Sequence, residues 1–260
     1  MNCKNCEKQL LEADNYCTNC GAKVIHYRLT LKNVGEEFAH TFLNVDNTIL
    51  KTFLQMFLNP HLVILDYISG VRKKYLNVIS YFTIALTLAG LQLFILRKFY
   101  PEALAMPESY QSVNPIIDLN WLFDYYSMLM LVYLPIYALM AKLTFIKYKK
   151  FNYTEHLVTM TYLMAHFTIV SVLIILPISI LGGNYMEVGM FLNLLLFIHT
   201  CYTYKKMYPL SVKQLLFSVF LFFVFATVIF IILEIFFVAY LFLTGDLQEL
   251  IEASRASQGL

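Results

Sequence analysis

The sequence predicts an all-α polytopic membrane protein of about five transmembrane helices, preceded by a small N-terminal four-cysteine zinc ribbon. Three observations carry that expectation. Hydrophobic residues make up 59% of the 260 residues and charged ones 14%, against about 25% charged in soluble domains. The apolar residues fall in long runs, several of them near the roughly 20 residues a helix needs to cross a hydrocarbon core. Four of the five cysteines stand as two C-x-x-C pairs close to the N-terminus.

The first element is the ribbon, residues 1–26. Cys3 and Cys6 form one pair, Cys17 and Cys20 the other. Each C-x-x-C turn points two thiolates at one ion, and two turns close a tetrahedral shell with Zn–S near about 2.3 Å. Gly21 follows Cys20, where such a turn needs a left-handed residue. So short a segment buries little core, and structural zinc would supply its folding free energy. A disulfide pairing requires an oxidising compartment, and the opening MNCKNCEKQLLEADNYC has neither the apolar core nor the cleavage site of a signal peptide. A redox C-x-x-C belongs beside a βαβ pattern, which is missing here. Four cysteine ligands leave no position for a catalytic water. Cys201, in a distant apolar run, reads as an inert helix residue.

Residues 27–75 read as cytosolic juxtamembrane amphipathic helices. Val34, Phe38, Phe42 and Val45 recur at helical spacing, and a second stretch carries Ile49, Leu50, Phe53, Leu54, Phe57 and Leu58 after Asp46, a candidate N-cap. A third runs from Asn59-Pro60 to Ser69-Gly70, with cap, first-turn proline and glycine stop. Whether these helices lie on the membrane or pack on the bundle is open at this level. Arg72, Lys73 and Lys74 form a basic membrane-interface anchor, compatible with anionic headgroups.

The membrane domain is expected over 76–243, with spans at about 76–96, 128–146, 157–181, 187–204 and 215–243, and a polar tail at 244–260. Lys147, Lys149, Lys150, Lys205, Lys206 and Lys213 join the basic anchor as the cytosolic set. Loop 97–127 carries Glu102, Glu108, Asp118 and Asp124, with cations at Arg97 and Lys98, and Ile116–Phe123 with Trp121 reads as an external interfacial segment. Five spans then place the N-terminus in the cytosol and the C-terminus outside, which keeps the thiols reduced. The loop Gly182-Gly183-Asn184-Tyr185 is short enough to impose an antiparallel hairpin.

Ionisable groups inside spans are costly and are therefore candidate sites. His166 shares a face with Tyr162 and Thr159, His199 with Thr203, and Glu234 with Thr227. Glu187 and Lys142 lie near enough to span ends to reach water. At about 1.5 Å per residue, His166 and His199 lie roughly 14 and 8 Å from the cytosolic ends of their spans, within reach of each other across the hairpin. Glu234 lies nearer the outer face. A neutral imidazole bonded to a neighbouring helix is the structural alternative for each histidine. Glu155-His156 lacks the second histidine of HExxH, and no phosphate loop or nucleophile motif is present, so enzymatic activity is not expected. Nucleic acid is not an expected partner either, because the basic residues are spread along membrane edges.

The ribbon ending Tyr16-Cys17-Thr18-Asn19-Cys20-Gly21, the stretch EEFAHTFLNVDNTILKTF and the stretch NPHLVILDYISGVRKKYLNVISYF together resemble a bacterial membrane family, domain of unknown function 3667. The resemblance covers about residues 1–85; Val71 follows Gly70 where the family has a basic residue, and Val78 stands where it has a proline. It implies a bacterial cytoplasmic (inner) membrane location and brings no activity with it. Two functions are carried forward. One is a non-enzymatic adaptor or scaffold whose ribbon docks a cytosolic protein while the spans hold the lipid bilayer or a second copy of the chain. The other is a transporter or channel using His166, His199 and Glu234.

Overall fold

A computed structural model describes residues 2–11, 14–22, 24, 48–105 and 125–244. The chain divides into two compact units, Met1–Asn47 and Thr48–Leu260. The predicted helix over 34–45, the external segment 116–123 and the tail fall outside the described residues.

In the first unit the described residues form two tight turns around a miniature core of Cys3, Leu10 and Cys17, against which Cys6, Ala22 and Val24 pack. An antiparallel bridge joins Asn2 to Gln9.

The second unit is helical throughout its described residues: α1 (Thr48–Leu58), α2 (Pro60–Ile68), α3 (Val78–Phe99), α4 (Tyr126–Thr144), α5 (Tyr153–Ile180), α6 (Tyr185–Met207) and α7 (Val212–Thr244). Helices α3, α5, α6 and α7 are long and apolar enough to cross a membrane. Helix α4 has 19 residues with Pro135 inside it, close to the minimum for a hydrocarbon core at about 1.5 Å per residue. The chain is an integral membrane protein by these elements.

The caps explain the boundaries. Asn77 caps α3 by accepting from the Ser80 N–H. Helix α5 begins four residues before the expected 157, because Asn152 and Glu155 form a capping box: the Asn152 side chain accepts from the Glu155 N–H at 2.9 Å, and the Glu155 carboxylate accepts from the Asn152 N–H at 2.6 Å. Asn184 caps α6 through the Met186 and Glu187 N–H groups. Arg97 and Lys98 occupy the last turn of α3, where cations complement the helix dipole, and the Lys98 ammonium lies over the Phe94 and Phe99 rings.

Helix α5 is the centre of the bundle and packs against α2, α3, α4 and α6, while α7 rests on α4 and α6. Helices α1 and α2 meet at a bend of 118° and are together apolar enough to form a broken span or re-entrant loop. Helix α2 packs against both α5 and α6, and Met56, Val63 and Ile64 are fully buried. The pair is thus part of the bundle. Leu76, just before α3, locks this arrangement: its N–H donates to Thr52 Oγ1 at 2.9 Å, and its carbonyl accepts from the Tyr162 hydroxyl at 2.7 Å. Helix α7 exposes Phe217, Phe220, Phe223, Phe230 and Phe236, the surface expected of a helix facing lipid.

Candidate functional site

The four N-terminal cysteines converge. All four Sγ atoms lie within 4.8 Å of one another, with Cys3–Cys20 at 3.7 Å and Cys6–Cys17 at 3.5 Å. Tetrahedral zinc with Zn–S of about 2.3 Å sets ligand sulfurs roughly 3.8 Å apart, whereas a disulfide needs about 2.05 Å. The donor set therefore fits a four-thiolate metal ion. Each turn repeats the other's backbone bonds. The Glu7 N–H donates to the Cys3 carbonyl and the Cys3 N–H to Lys8; the Gly21 N–H donates to the Cys17 carbonyl and the Cys17 N–H to Ala22, all at 2.8 Å. Glu7 and Gly21 both adopt left-handed backbone, with φ of 61° and 70°. The Asn5 side chain, then the Ala22 backbone, bring the Cys20 thiol down to about 6, which favours the thiolate a metal requires. Around this core Leu11 and Tyr16 remain 74% and 59% exposed.

The second set of predicted residues lies in the membrane unit. His166 and His199 sit about equally far from the α5–α6 turn, so the hairpin brings them level, with ring centroids 5.8 Å apart. His166 is 3% exposed. Its Nδ1 is 2.9 Å from the Tyr81 hydroxyl, and its ring meets Phe57 edge to face at 4.4 Å and Phe53 at 5.2 Å. The Nε2 atoms of both histidines are buried and have no hydrogen-bond partner. Tyr162 and Thr159 are fully buried on the same face of α5. Thr203 bonds back to the His199 carbonyl within α6.

Glu234 is exposed on α7 and lies outside the histidine site. Thr227 is bonded within that helix, to the Phe223 carbonyl. Lys142 donates to the Phe151 carbonyl, and Glu187 lies in the first turn of α6. Arg72 lies over the Tyr67 ring and bonds its carbonyl, Lys74 pairs with Asp66 at 2.6 Å, and Lys73 is exposed.

Sequence reasoning missed His156. Its Nδ1 and Nε2 each lie 3.1 Å from a tyrosine hydroxyl, Tyr204 and Tyr208 respectively. The ring belongs to a stack in which Phe145 lies 4.4 Å from Tyr208 and 5.0 Å from Tyr204. Both nitrogens are satisfied, so this residue ties α5 to the end of α6. Lys150 adds a bond to the Met207 carbonyl at 2.6 Å. The i, i+4 tyrosines at 204 and 208 are the one sequence signal for this knot. Beside it, an apolar cavity of about 280 Å³ lies between α4, α5, α6 and α7, lined by Met160, Met164, Phe197, Phe222 and the half-buried Cys201.

Residues 46–90 match the family model described as "Protein of unknown function (DUF3667)". The matched stretch contains α1, α2 and the first half of α3, and so supplies Phe53, Phe57 and Tyr81 around His166. No curated protein and no solved structure matches the chain.

Proposed function

We propose that the protein is a membrane-anchored, non-enzymatic adaptor whose N-terminal unit is a structural zinc ribbon that docks a cytosolic protein. The observation that carries this reading is the pair Leu11 and Tyr16, large apolar side chains left exposed on a unit too small to spare them. Exposed apolar anchors of this kind are what a protein partner covers. Four thiolates complete a zinc shell, so the ion holds the turns and offers no site for substrate. The basic residues at the ends of the spans support a cytosolic N-terminus and an external C-terminus in a bacterial inner membrane.

The test is crosslinking and capture from native membranes. Wild type is compared with Cys17→Ser/Cys20→Ser, which loses the metal, and with Leu11→Ser/Tyr16→Ser, which retains it. The reading expects one cytosolic protein to be captured by wild type and lost in both variants. Capture of the same neighbours by the metal-retaining double variant overturns it.

A second reading, transport, is favoured by the histidine pair, whose two Nε2 atoms are buried. Its support is the cost of holding two unpartnered imidazole nitrogens in hydrocarbon. It predicts that His199→Asn abolishes a pH-dependent flux into vesicles, and an unchanged flux sinks it. Exposed on the lipid-facing helix, Glu234 is a separate element of that reading.

A further inference from the structure

We propose that His166 and His199 together hold one soft monovalent metal ion, copper(I), at the centre of the membrane unit. Both Nε2 atoms are buried without a hydrogen-bond partner, a state that is costly when left unfilled. On the other side of its ring the Nδ1 of His166 has the Tyr81 hydroxyl at 2.9 Å. Metal-bound imidazoles are held this way: an outer partner takes the ring N–H, fixes the tautomer and leaves the second nitrogen's lone pair to the ion.

The spacing agrees. With a metal–nitrogen bond of about 2.0 Å, two rings sharing an ion have centroids roughly 5 Å apart at a tetrahedral angle and roughly 6 Å apart when collinear. The observed 5.8 Å lies inside that interval. A direct hydrogen bond between the imidazoles is not formed, since both nitrogens lack partners.

Charge selects the ion. Among the described residues, the rings packed against His166 are those of Phe53, Phe57 and Tyr81, from α1 and α3. None of these is anionic, and Glu234 is exposed on α7. Ion transfer into low dielectric costs energy in proportion to the square of the charge. Two neutral imidazoles therefore suit a monovalent ion far better than zinc or another divalent ion, and imidazole is an established copper donor. The four-thiolate site has the opposite character, with anionic ligands matched to a divalent ion. The histidine site is independent of partner docking by the ribbon.

The test uses the full chain, loaded with zinc, labelled with ¹⁵N-histidine and placed in lipid nanodiscs. Copper(I) is added anaerobically with ascorbate, and the Nε2 resonances are followed. Of the six histidines, two should shift together, complete at one equivalent of nitrogen-bound copper. They are identified by their absence in His166→Gln and His199→Gln, each of which should bind one copper fewer per chain. X-ray absorption of the wild type should show a nitrogen contribution that both variants lose. If the resonances of His166 and His199 do not move in the wild type, or if copper is bound through sulfur alone, the proposal is overturned. The wild-type measurement stands even where a variant fails to fold.

Discussion

Glu7 and Gly21 occupy equivalent positions in the two C-x-x-C turns, and that equivalence makes a sharp prediction. Both backbones are left-handed, with φ of 61° and 70°, and both N–H groups bond the first cysteine of their own pair at 2.8 Å. This conformation costs a non-glycine residue about 1–2 kcal/mol, and glycine's greater freedom in the unfolded chain offsets part of that difference. Glu7→Gly should therefore stabilise the metal-bound unit by about 1 kcal/mol, and Gly21→Ala should destabilise it by a similar amount. A Cβ at Gly21 meets nothing within 4 Å, so the second effect is conformational and not a clash. Because metal binding and folding are coupled in so small a unit, each change appears in metal affinity as roughly fivefold. Competition for zinc against a chromophoric chelator, on the full chain in detergent, measures it. Glu7→Ala removes the charge while keeping the strained backbone and should show no gain. Equal affinities for Glu7→Gly and Glu7→Ala, or a loss in Glu7→Gly, would refute the reasoning.

Three further outcomes follow from the membrane unit. His156→Leu should lower stability by about 2–4 kcal/mol, because the Tyr204 and Tyr208 hydroxyls both lose their partner; thermal unfolding in detergent reads this, and restoring stability with Tyr204→Phe/Tyr208→Phe in the same chain confirms the cause. Gly183→Ala should cost about 1–3 kcal/mol, since its Cβ would run into the Ile178 Cγ2 atom, and Ile178→Ala should recover part of the loss in the same assay. The Lys74 amino group is held above its ordinary value by the Asp66 carboxylate. A raised value means the contact contributes below the ordinary lysine range and is lost as pH rises through the raised one; Asp66→Asn should bring the titration of ¹³C-methylated Lys74 back down, with the melting temperature little changed because the pair is surface-exposed.

How much of the molecule is legible in its sequence depends on which force sets each feature. Cysteine spacing alone locates the four-thiol cluster, since a C-x-x-C turn is a local geometry. The meeting of His166 and His199 is legible because a short turn and a fixed helical rise determine register across a hairpin. Hydropathy places the start of α5 four residues late, although Asn152 and Glu155 carry the cap in plain view. By periodicity α1 and α2 are amphipathic, with Phe53, Leu54, Phe57 and Leu58 among the apolar positions of α1, and the sequence leaves open whether they lie on the membrane or pack on the bundle. In the structure Leu50, Leu54, Leu58 and Leu62 are exposed while Met56, Val63 and Ile64 are buried. Within a bilayer, lipid and protein interior are equally apolar, so an apolar stripe does not point at the core.

Polar side chains do point at it. Thr52, Gln92, His156, Thr159, His166, Thr168, Ser179 and Thr203 are all buried, and they mark the inner faces of α1, α3, α5 and α6 that hydropathy leaves blank. The same logic places Glu234 apart from them. At about 1.5 Å per residue the 33-residue α7 is roughly 50 Å long, well beyond a hydrocarbon core of about 30 Å. Glu234 lies roughly 33 Å along it from Val212, near enough to the far interface for a carboxylate to reach water. A buried carboxylate would need a cation or a donor beside it; an exposed one near the interface needs neither. Its sequence context of phenylalanine and isoleucine points to a costly intramembrane charge, and on a helix longer than the hydrocarbon core the carboxylate has an interface within reach. The histidines have no such escape: near the middle of the hairpin His166 is buried and His199 half-buried, and the Nε2 atom of each is buried without a hydrogen-bond partner, as a ligand site requires.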